Sequence, residues 1–376
     1  MRAIRVLSVF GTRPESVKMA PVIRALSASP AIESKVCVTA QHRQMLDQVL
    51  ELFDIHPDVD LNLMQPDQSL ALLTANVFIH LDPVLQSLKP DWVLVQGDTT
   101  TVMAASLLSY YHRIHIGHVE AGLRTGDKWQ PFPEEINRRV AGVTADLHFA
   151  PTEHSRKNLL REGIPDRQII VTGNPVIDAL QSILQRPTPC EAKDLLERLQ
   201  IAPGGKQMIL VTAHRRENFG QPLENICQAL RHLAEVYPQR LQLVYPVHLN
   251  PNVQSTVQRV LAGVANITLL PPLDYLPMVH LMRQAKLVLT DSGGIQEEAT
   301  ALGIPTLVLR CTTERPEGIE AGVLKLVGTD EKSIFDEAQH LLEDPAAYQQ
   351  MANARNPFGD GQAAARIVQS ILDYEA

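Results

Sequence analysis

The stretch Thr290-Asp291-Ser292-Gly293-Gly294-Ile295-Gln296-Glu297-Glu298 follows an apolar run, Leu287 to Leu289, and begins a segment with helical character. This pattern is typical of a strand that turns into a helix at an anion site. Ser292 is suited to cap the helix, and the two glycines let backbone N–H groups approach a phosphate, which the helix dipole favours. Glu298, about one turn further on, is placed to accept hydrogen bonds from ribose hydroxyls. An ordinary capped helix explains the motif equally well, so the rest of the chain must decide.

The same succession of strand, polar loop and helix recurs along the whole chain. We predict strands over residues 6–10, 35–39, 91–95, 115–119, 147–150, 208–212, 241–245, 267–270, 287–289 and 306–309. Polar residues follow most of these strands at their carboxyl ends. This alternation indicates an α/β fold with doubly wound parallel sheets and a ligand site at the carboxyl edge of the strands.

The 376 residues are enough for two domains of ordinary size. We predict two Rossmann-like doubly wound lobes facing a central cleft. The first lobe spans residues 1–172 and is completed by a C-terminal helix within 361–376, and the second spans 173–360. The boundary is placed at Val171-Thr172-Gly173-Asn174-Pro175, and the tail after Gly359-Asp360-Gly361 predicts a helix that returns to the first lobe.

Composition narrows the class of partner. The formal charge of −8 and the pI near 5.9 argue against a nucleic-acid or anionic-membrane surface and favour a small molecule. The four cysteines have no metal-binding spacing, which favours free thiols in a reducing compartment and no metal. The first apolar run is too short for a signal peptide, and no run approaches the ~18 apolar residues of a membrane span. We therefore expect a cytoplasmic protein.

Four acidic residues at predicted strand or helix ends are candidates for chemistry. Asp98 follows the strand at 91–95, where a helix N-cap is an equal explanation. Glu120 follows an apolar strand and should point into the crevice, where a carboxylate without compensation is costly, so we favour a functional role. Glu134 and Glu135 lie in a first helical turn, whose dipole favours acids on electrostatic grounds alone.

Cationic and polar residues at other strand ends fit a phosphorylated ligand. Arg13 and Lys18 follow the first strand and could neutralise a diphosphate, although a solvated turn and a surface lysine explain them as well. His214 is followed by two arginines, a natural phosphate site, with an ion-pair network to the next glutamate as the alternative. Gln41 to Gln44 and His248 lie at two more strand ends, where loop solubility is an equal explanation.

No P-loop, no G-x-G-x-x-G after the first strand and no Ser-His-Asp elbow is present, so ATP hydrolysis and nicotinamide binding have no motif support. The chain instead resembles, nearly end to end, the bacterial non-hydrolysing UDP-N-acetylglucosamine 2-epimerases. That resemblance rests on an ordered series of motifs: Phe10-Gly11-Thr12-Arg13-Pro14-Glu15, Gln41-His42-Arg43-Gln44-Met45, Gly97-Asp98-Thr99-Thr100-Thr101, His118-Val119-Glu120-Ala121-Gly122-Leu123-Arg124-Thr125, Pro133-Glu134-Glu135, His214-Arg215-Arg216-Glu217 and the stretch at 290–298. It implies a glycosyltransferase-B-like pair of lobes and a homodimer that uses no nicotinamide or metal cofactor.

The resemblance implies reversible epimerisation at C2 of UDP-GlcNAc to UDP-ManNAc, by elimination of UDP to 2-acetamidoglucal and re-addition with inversion. Departure of UDP must run ahead of C2–H cleavage, because that bond is too weakly acidic for a carboxylate alone, and positive groups around the diphosphate favour that departure. The catalytic positions implied are Asp98, Glu120, Glu134 and His214. The UDP-binding positions implied are Arg13, Lys18, Ser292, Gly293, Gly294 and Glu298, together with His214. Which carboxylate is acid and which is base is left open.

Two finer points follow from the same resemblance. Bacterial members are often activated by a second UDP-GlcNAc, whose polar contacts would map to Gln41, Gln44, Glu135, Arg215 and His248. Met278 stands where a relative has Phe against the uracil, and a thioether can still cover a ring face.

Three other functions compete with this one. A hydrolysing 2-epimerase would release UDP and free ManNAc. A retaining UDP-sugar glycosyltransferase would use the same fold for a different reaction, against which a cluster of three carboxylates around the sugar would argue. A UDP-sugar sensor would bind without turnover, and the presence of Asp98, Glu120 and Glu134 speaks against it.

Overall fold

The chain folds into two α/β units in the computed structural model, which describes residues 2–40, 43–63, 68–202 and 204–374, with only the backbone at 43–45. Unit 1 comprises Met1–Gln181 and Phe358–Ala376, and unit 2 comprises Ser182–Pro357. The chain therefore passes from unit 1 to unit 2 after residue 181, rather than at the predicted boundary after residue 172. The reason is local, because the Asp178 carboxylate accepts hydrogen bonds from the backbone of Ala363 (3.2 Å) and Ala364 (2.9 Å) in the returning segment.

Unit 1 is built on a parallel sheet of seven strands in the order β3-β2-β1-β4-β5-β6-β7. Its strands are β1 (Ile4–Phe10), β2 (Ile32–Val38), β3 (Val59–Asp60), β4 (Trp92–Gln96), β5 (His115–Val119), β6 (Leu147–Ala150) and β7 (Ile169–Val171). Its helices are α1 (Arg13–Ala28), α2 (Arg43–Leu52), α3 (Leu70–Leu88), α4 (Thr100–Tyr111), α5 (Glu134–Thr144), α6 (Glu153–Arg161), the short 3₁₀ turn Asp166–Gln168, α7 (Pro175–Leu184), which runs on into unit 2, and the returning helix α16 (Ala363–Leu372).

Unit 2 contains a parallel sheet of six strands in the order β10-β9-β8-β11-β12-β13. Its strands are β8 (Gln207–Thr212), β9 (Leu241–Pro246), β10 (Ile267–Leu270), β11 (Ala285–Thr290), β12 (Thr306–Val308) and β13 (Leu324–Leu326). Its helices are α8 (Cys190–Arg198), the short 3₁₀ turn Arg216–Asn218, α9 (Gln221–Val236), α10 (Pro251–Leu261), α11 (Tyr275–Arg283), α12 (Gly293–Ala301), α13 (Pro316–Glu320), α14 (Glu331–Glu343) and α15 (Pro345–Ala352).

Alternation along the strands places an apolar core on both faces of each sheet. In β1, Val6 and Phe10 join one cluster, whereas Leu7 and Val9 join another. Successive side chains of a strand point to opposite faces, so a strand apolar on both faces must be covered on both. In unit 2, alternate residues of β8 likewise join two different apolar clusters. The returning helix α16 contributes Ile367 to a core cluster of unit 1.

The predicted parallel α/β architecture is confirmed, and every predicted strand has a counterpart. Three further strands, β3, β7 and β13, were not predicted. Each has only two or three residues, too few to produce a periodic signal. Among the helices of the described chain, none combines the length and apolar character needed to span a membrane.

Candidate active site

Glu120 lies directly after β5 in unit 1, with its side chain almost fully buried. The Lys18 ammonium lies 2.7 Å and 2.6 Å from its two carboxylate oxygens. The Gln96 amide donates to Oε2, and the Asn174 Nδ2 donates to Oε1 at 2.8 Å. Burying a carboxylate is costly unless charge and hydrogen bonds compensate it, and here one cation and two amides do so. Charge and hydrogen bonds therefore hold the Glu120 carboxylate in one orientation.

The Glu120 backbone is also held in an unusual conformation. Its φ is +61°, in the left-handed region that non-glycine residues seldom adopt. Strain of this kind costs on the order of 1–3 kcal/mol and persists only where the surroundings impose it. The conformation turns the chain at the strand end and aims the carboxylate at Lys18.

Lys18 reaches Glu120 because the start of α1 is fixed from two sides. The buried Glu15 carboxylate accepts hydrogen bonds from the backbone of Gly11 (3.0 Å) and Thr12 (2.7 Å), which closes a capping box at the helix N-terminus. Its other oxygen accepts a 2.7 Å hydrogen bond from the Thr99 hydroxyl. Burial raises the pKa of Glu15, and these hydrogen bonds oppose that rise. Glu15 thus ties the loop after β1 to the loop after β4, which carries Asp98.

Asp98 is held by α5 and does not cap a helix. Thr99 occupies the N-cap of α4, and its hydroxyl accepts from the backbone of Val102. The Arg138 guanidinium contacts the Asp98 Oδ2 through Nε at 2.9 Å and Nη2 at 2.7 Å. Below it, the ring of His118 lies 2.7 Å from the Gly97 carbonyl oxygen. The N-cap explanation for Asp98 is therefore wrong.

Glu134 and Glu135 have different surroundings although they are adjacent. Glu134 is half-buried at the start of α5. Glu135 is fully buried and accepts 3.2 Å hydrogen bonds from the backbone of Thr125 and Gly126, with Arg138 3.3 Å away. Glu135 therefore anchors the turn that precedes α5.

The N-terminus of α12 in unit 2 differs in part from the prediction. Ser292 occupies the N-cap, but its side chain makes no capping hydrogen bond, so the predicted hydroxyl cap is wrong. A Cβ added to Gly293 would lie 2.5 Å from the Arg315 guanidinium, so this glycine is required by Arg315. A Cβ on Gly294 would have no atom of the described residues within 4 Å, apart from its chain neighbours and the backbone of its own helix. The open space of this helix start therefore lies at Gly294.

His214 is positioned by a buried carboxylate in the same unit. One oxygen of Asp291 accepts hydrogen bonds from the backbone of His214 (2.8 Å) and Arg215 (2.8 Å) and from the Asn218 amide (3.0 Å). The other oxygen lies 3.8 Å from His214 Nδ1. The His214 ring stacks on the His248 ring, with centroids 5.2 Å apart. Burial lowers the pKa of His214, His248 and Arg215 lower it further, and Asp291 opposes them.

The last two predicted nucleotide contacts lie in the interior of unit 2. Glu298 is buried and accepts a 2.6 Å hydrogen bond from the Tyr275 hydroxyl, which fixes one of its oxygens. Met278 is buried in an apolar cluster with Leu281 and Met282. Among the described residues, no group of three His, Cys, Asp or Glu side chains is placed to hold a metal ion.

A sequence profile of the family described as UDP-N-acetylglucosamine 2-epimerase matches residues 24–372. The chain is 57% identical to the UDP-N-acetylglucosamine 2-epimerase of Salmonella typhimurium over 99% of both proteins. Among solved structures, it superposes on the Neisseria meningitidis UDP-GlcNAc 2-epimerase bound to UDP-GlcNAc with a TM-score of 0.92 and 51% identity, covering 99% of this chain and 100% of that one. The S. aureus MnaA complex with UDP matches with a TM-score of 0.90 and 46% identity, covering 98% and 96%.

The chain belongs to the UDP-N-acetylglucosamine 2-epimerase family. The predicted resemblance is therefore confirmed, and with it the fold class of two parallel-sheet α/β units of the glycosyltransferase-B-like type.

Within this UDP-N-acetylglucosamine 2-epimerase fold, the structure brings some predicted residues together. The ammonium of Lys18, which was predicted to contact a diphosphate, forms an ion pair with the Glu120 carboxylate. Arg13 occupies the first turn of α1. Gln41 and the side chain of Gln44 lie outside the described residues.

Sequence reasoning missed the residues that position the predicted ones. Gln96 and Asn174 hold Glu120, Arg138 holds Asp98, Asp291 supports His214, and Tyr275 holds Glu298. Two of these residues lie in stretches that the sequence analysis quotes: Asn174 in the predicted lobe boundary at 171–175 and Asp291 in the motif at 290–298. Their roles depend on contacts with residues distant in sequence, which a single sequence does not reveal.

Proposed function

We propose that this protein catalyses the reversible, non-hydrolysing epimerisation of UDP-GlcNAc to UDP-ManNAc at C2. The observation that carries the proposal is the buried Glu120 carboxylate, held between Lys18 and two amides at the carboxyl edge of a parallel sheet. Family membership supports the substrate, because relatives of about 50% identity include a UDP-GlcNAc 2-epimerase bound to UDP-GlcNAc.

In the first step, the bond between C1 and the diphosphate oxygen breaks, and UDP departs with the electron pair. The C2 proton passes to a protein carboxylate, and the C1–C2 double bond of 2-acetamidoglucal forms. In the second step, a diphosphate oxygen attacks C1 while C2 receives a proton on the opposite face. Inversion thus needs proton-transferring groups on both faces of the sugar.

Unit 1 supplies the carboxylates for these transfers in our proposal. Glu120 and Asp98 are each held beside a cation, Lys18 and Arg138 respectively, and a carboxylate near C1 would stabilise the positive charge that develops there. Glu134, at the start of α5, is the third carboxylate. The proton-transferring pair is drawn from these three residues.

Unit 2 supplies the nucleotide site in our proposal. The open helix start at Gly294, together with Ser292, is suited to a diphosphate, because first-turn N–H groups lack intrahelical acceptors. His214 approaches the same anion with Asp291 behind it, so that a proton gained by the ring is stabilised. Glu298 is the proposed ribose contact, and Arg13 of unit 1 is a further diphosphate contact. UDP must be retained as a free leaving group until it is added back.

We also propose that a second UDP-GlcNAc activates the enzyme, through Gln41, Gln44, Glu135, Arg215 and His248. The stacked rings of His214 and His248 support this part, because they join a proposed activator contact directly to a proposed diphosphate contact. A sigmoidal dependence of rate on UDP-GlcNAc that becomes hyperbolic in the variant His248→Ala would agree with this proposal. A hyperbolic dependence in the parent enzyme would contradict it.

We propose a homodimer formed through α3, α4 and α5, three neighbouring helices of unit 1. Ile79, Tyr110, Tyr111 and Val143 on these helices are each more than 60% exposed, and large apolar side chains exposed together on neighbouring helices are typical of an interface. Light scattering should give the dimer mass for the parent chain and the monomer mass for Ile79→Glu with Val143→Glu. A parent monomer would contradict the proposal.

Free thiols favour a reducing compartment such as the cytoplasm.

Product analysis from both directions tests the proposed reaction. UDP-GlcNAc and UDP-ManNAc, incubated separately with the enzyme, should converge on the same mixture of the two nucleotide sugars, measured by anion-exchange chromatography. Accumulation of free ManNAc and UDP would identify a hydrolysing 2-epimerase. Turnover only with an added sugar acceptor would identify a glycosyltransferase.

A further inference from the structure

Asn174 occupies the position immediately before α7, the helix in which the chain passes from unit 1 to unit 2. Its side chain is fully buried. The side-chain oxygen accepts a 3.1 Å hydrogen bond from the backbone N–H of Val176, and Nδ2 donates to Glu120 at 2.8 Å. Because the oxygen is taken by a backbone donor, the amide nitrogen must face the carboxylate. The start of α7 therefore fixes the group that holds Glu120.

The returning segment fixes the backbone of the same residue. The backbone N–H of Asn174 donates to the Phe358 carbonyl oxygen at 2.7 Å, at the point where the chain re-enters unit 1. Gly173 and Gly359 pack backbone against backbone, since a Cβ on Gly173 would lie 3.1 Å from the Gly359 Cα. With no side chain between them, the outgoing and returning segments hold Asn174 from two sides.

We propose that Asn174 is a positioning residue for Glu120, which links this carboxylate to the place where the chain leaves and re-enters unit 1. This inference rests on the proposed function. Lys18 supplies charge to Glu120 from a flexible stem, whereas the Asn174 amide is fixed by α7 and by Phe358. Asn174 therefore fixes the direction of the Glu120 Oε1 atom, as Gln96 does for Oε2, and acts on the reaction through Glu120.

The variant Asn174→Asp tests this link with almost no change in shape. It replaces a donor by a carboxylate next to Glu120, and two like charges at hydrogen-bond distance resist joint ionisation. In ¹³C NMR of the glutamate-labelled protein, the titration of the Glu120 carboxyl should move up by more than about one pH unit. The acidic limb of the pH–kcat profile should move with it.

Asn266→Asp is the matched control. Asn266 is also buried, and its amide nitrogen donates to the carbonyls of Ala234 (3.0 Å) and Leu241 (3.3 Å) in unit 2. The variant Asn266→Asp should lose a comparable hydrogen-bonding group, and the pH at which the Glu120 carboxyl titrates should be the same as in the parent protein. An equal shift in both variants would mean a general loss of structure and would overturn the proposal.

A glycine pair tests the backbone half of the link, and remains available if Asn174→Asp does not fold. Gly173 and Gly163 have similar φ values of 85° and 86°, but a Cβ on Gly163 would meet no described residue within 4 Å apart from its two chain neighbours. Both alanine variants therefore carry left-handed strain, and only Gly173→Ala presses on the returning segment. We expect kcat to fall at least about tenfold more in Gly173→Ala than in Gly163→Ala, with KM within about twofold. Equal kcat values would overturn the link.

The outcomes also separate this proposal from the proposed function. A parent protein that does not interconvert the two UDP-sugars would contradict the function, and the NMR titration of Glu120 would still report on Asn174. An active parent in which Asn174→Asp leaves the Glu120 titration and the pH–kcat profile unchanged would contradict the positioning role alone.

Discussion

Replacing Gly294 by alanine should separate ligand binding from stability at the start of α12. Among the described residues, no atom other than those of the chain neighbours and of the helix's own backbone lies within 4 Å of the added Cβ, so the fold should accept it. Alanine in a helix is favoured over glycine by roughly 0.5–1 kcal/mol, so stability should be unchanged or slightly higher. If the diphosphate of UDP occupies this space, the methyl group displaces it and breaks one charge-assisted hydrogen bond, which is about 1.5–3 kcal/mol. The dissociation constant for UDP should then rise about 10- to 150-fold.

Gly293→Ala is the matched variant, and its effect should be on stability. The new Cβ would lie 2.5 Å from the Arg315 Nη1, and this buried guanidinium is held 2.6 Å from Glu297. Overpacking of this kind costs about 1–3 kcal/mol, which corresponds to about 2–4 °C in melting temperature per kcal/mol for a unit of this size.

Calorimetric titration with UDP and thermal melting measure the two effects separately. Parent-like affinity for UDP in Gly294→Ala would refute the placement of the diphosphate at α12. A melting temperature that falls as far in Gly294→Ala as in Gly293→Ala would refute the steric reasoning.

Three further predictions concern unit 1. Glu120→Gln should lower epimerisation about 10²- to 10⁴-fold and keep UDP affinity within a few-fold; near-parent turnover would remove Glu120 from the mechanism. Arg138→Lys keeps the charge but loses the paired contacts of Nε and Nη2 to Asp98, so kcat should fall at least about tenfold with UDP binding kept, and an unchanged kcat would contradict the role of this ion pair. Burial lowers the pKa of His118 to about 4 and that of His148 to about 3, from 6.5. Below pH 6.5 the unfolded chain takes up these protons first, so stability should be lost as the pH falls toward 4, by up to about 1.4 kcal/mol per pH unit for each histidine. Denaturant melts at several pH values give the free energy of unfolding as a function of pH. For His148→Gln this dependence on pH should be shallower by that amount, and an unchanged dependence would contradict this assignment.

The fold was largely predictable because its signal is local. A strand such as β8 contains a continuous apolar run, Met208 to Val211, that ends in polar residues, and its bounds, Gln207–Thr212, differ from the predicted 208–212 by one residue. Edge strands such as β13 carry no such run, and they form because a neighbouring strand offers hydrogen-bonding partners. That contribution is tertiary, so it leaves little trace in the sequence.

The candidate site was predictable in its residue types and less so in its contacts. Asp98 and Glu120 were recognised from their positions after strands, and each proves to be held by a cation. The contact of Lys18 with Glu120 was not predicted, because a charge alone does not specify its partner, and its contact with a diphosphate stays a prediction. The hydroxyl of Ser292 was predicted as a cap from residue preference, which does not determine rotamer geometry.

Hydrogen exchange at C2 tests the central claim most directly. The protein is incubated with UDP-GlcNAc in deuterium oxide, and the C2 position of both nucleotide sugars is followed by NMR. We predict deuterium at C2 of UDP-ManNAc, and of the UDP-GlcNAc formed in reverse, with no build-up of free ManNAc. UDP-ManNAc that retains the original hydrogen at C2 would contradict elimination and re-addition through the carboxylates around Glu120.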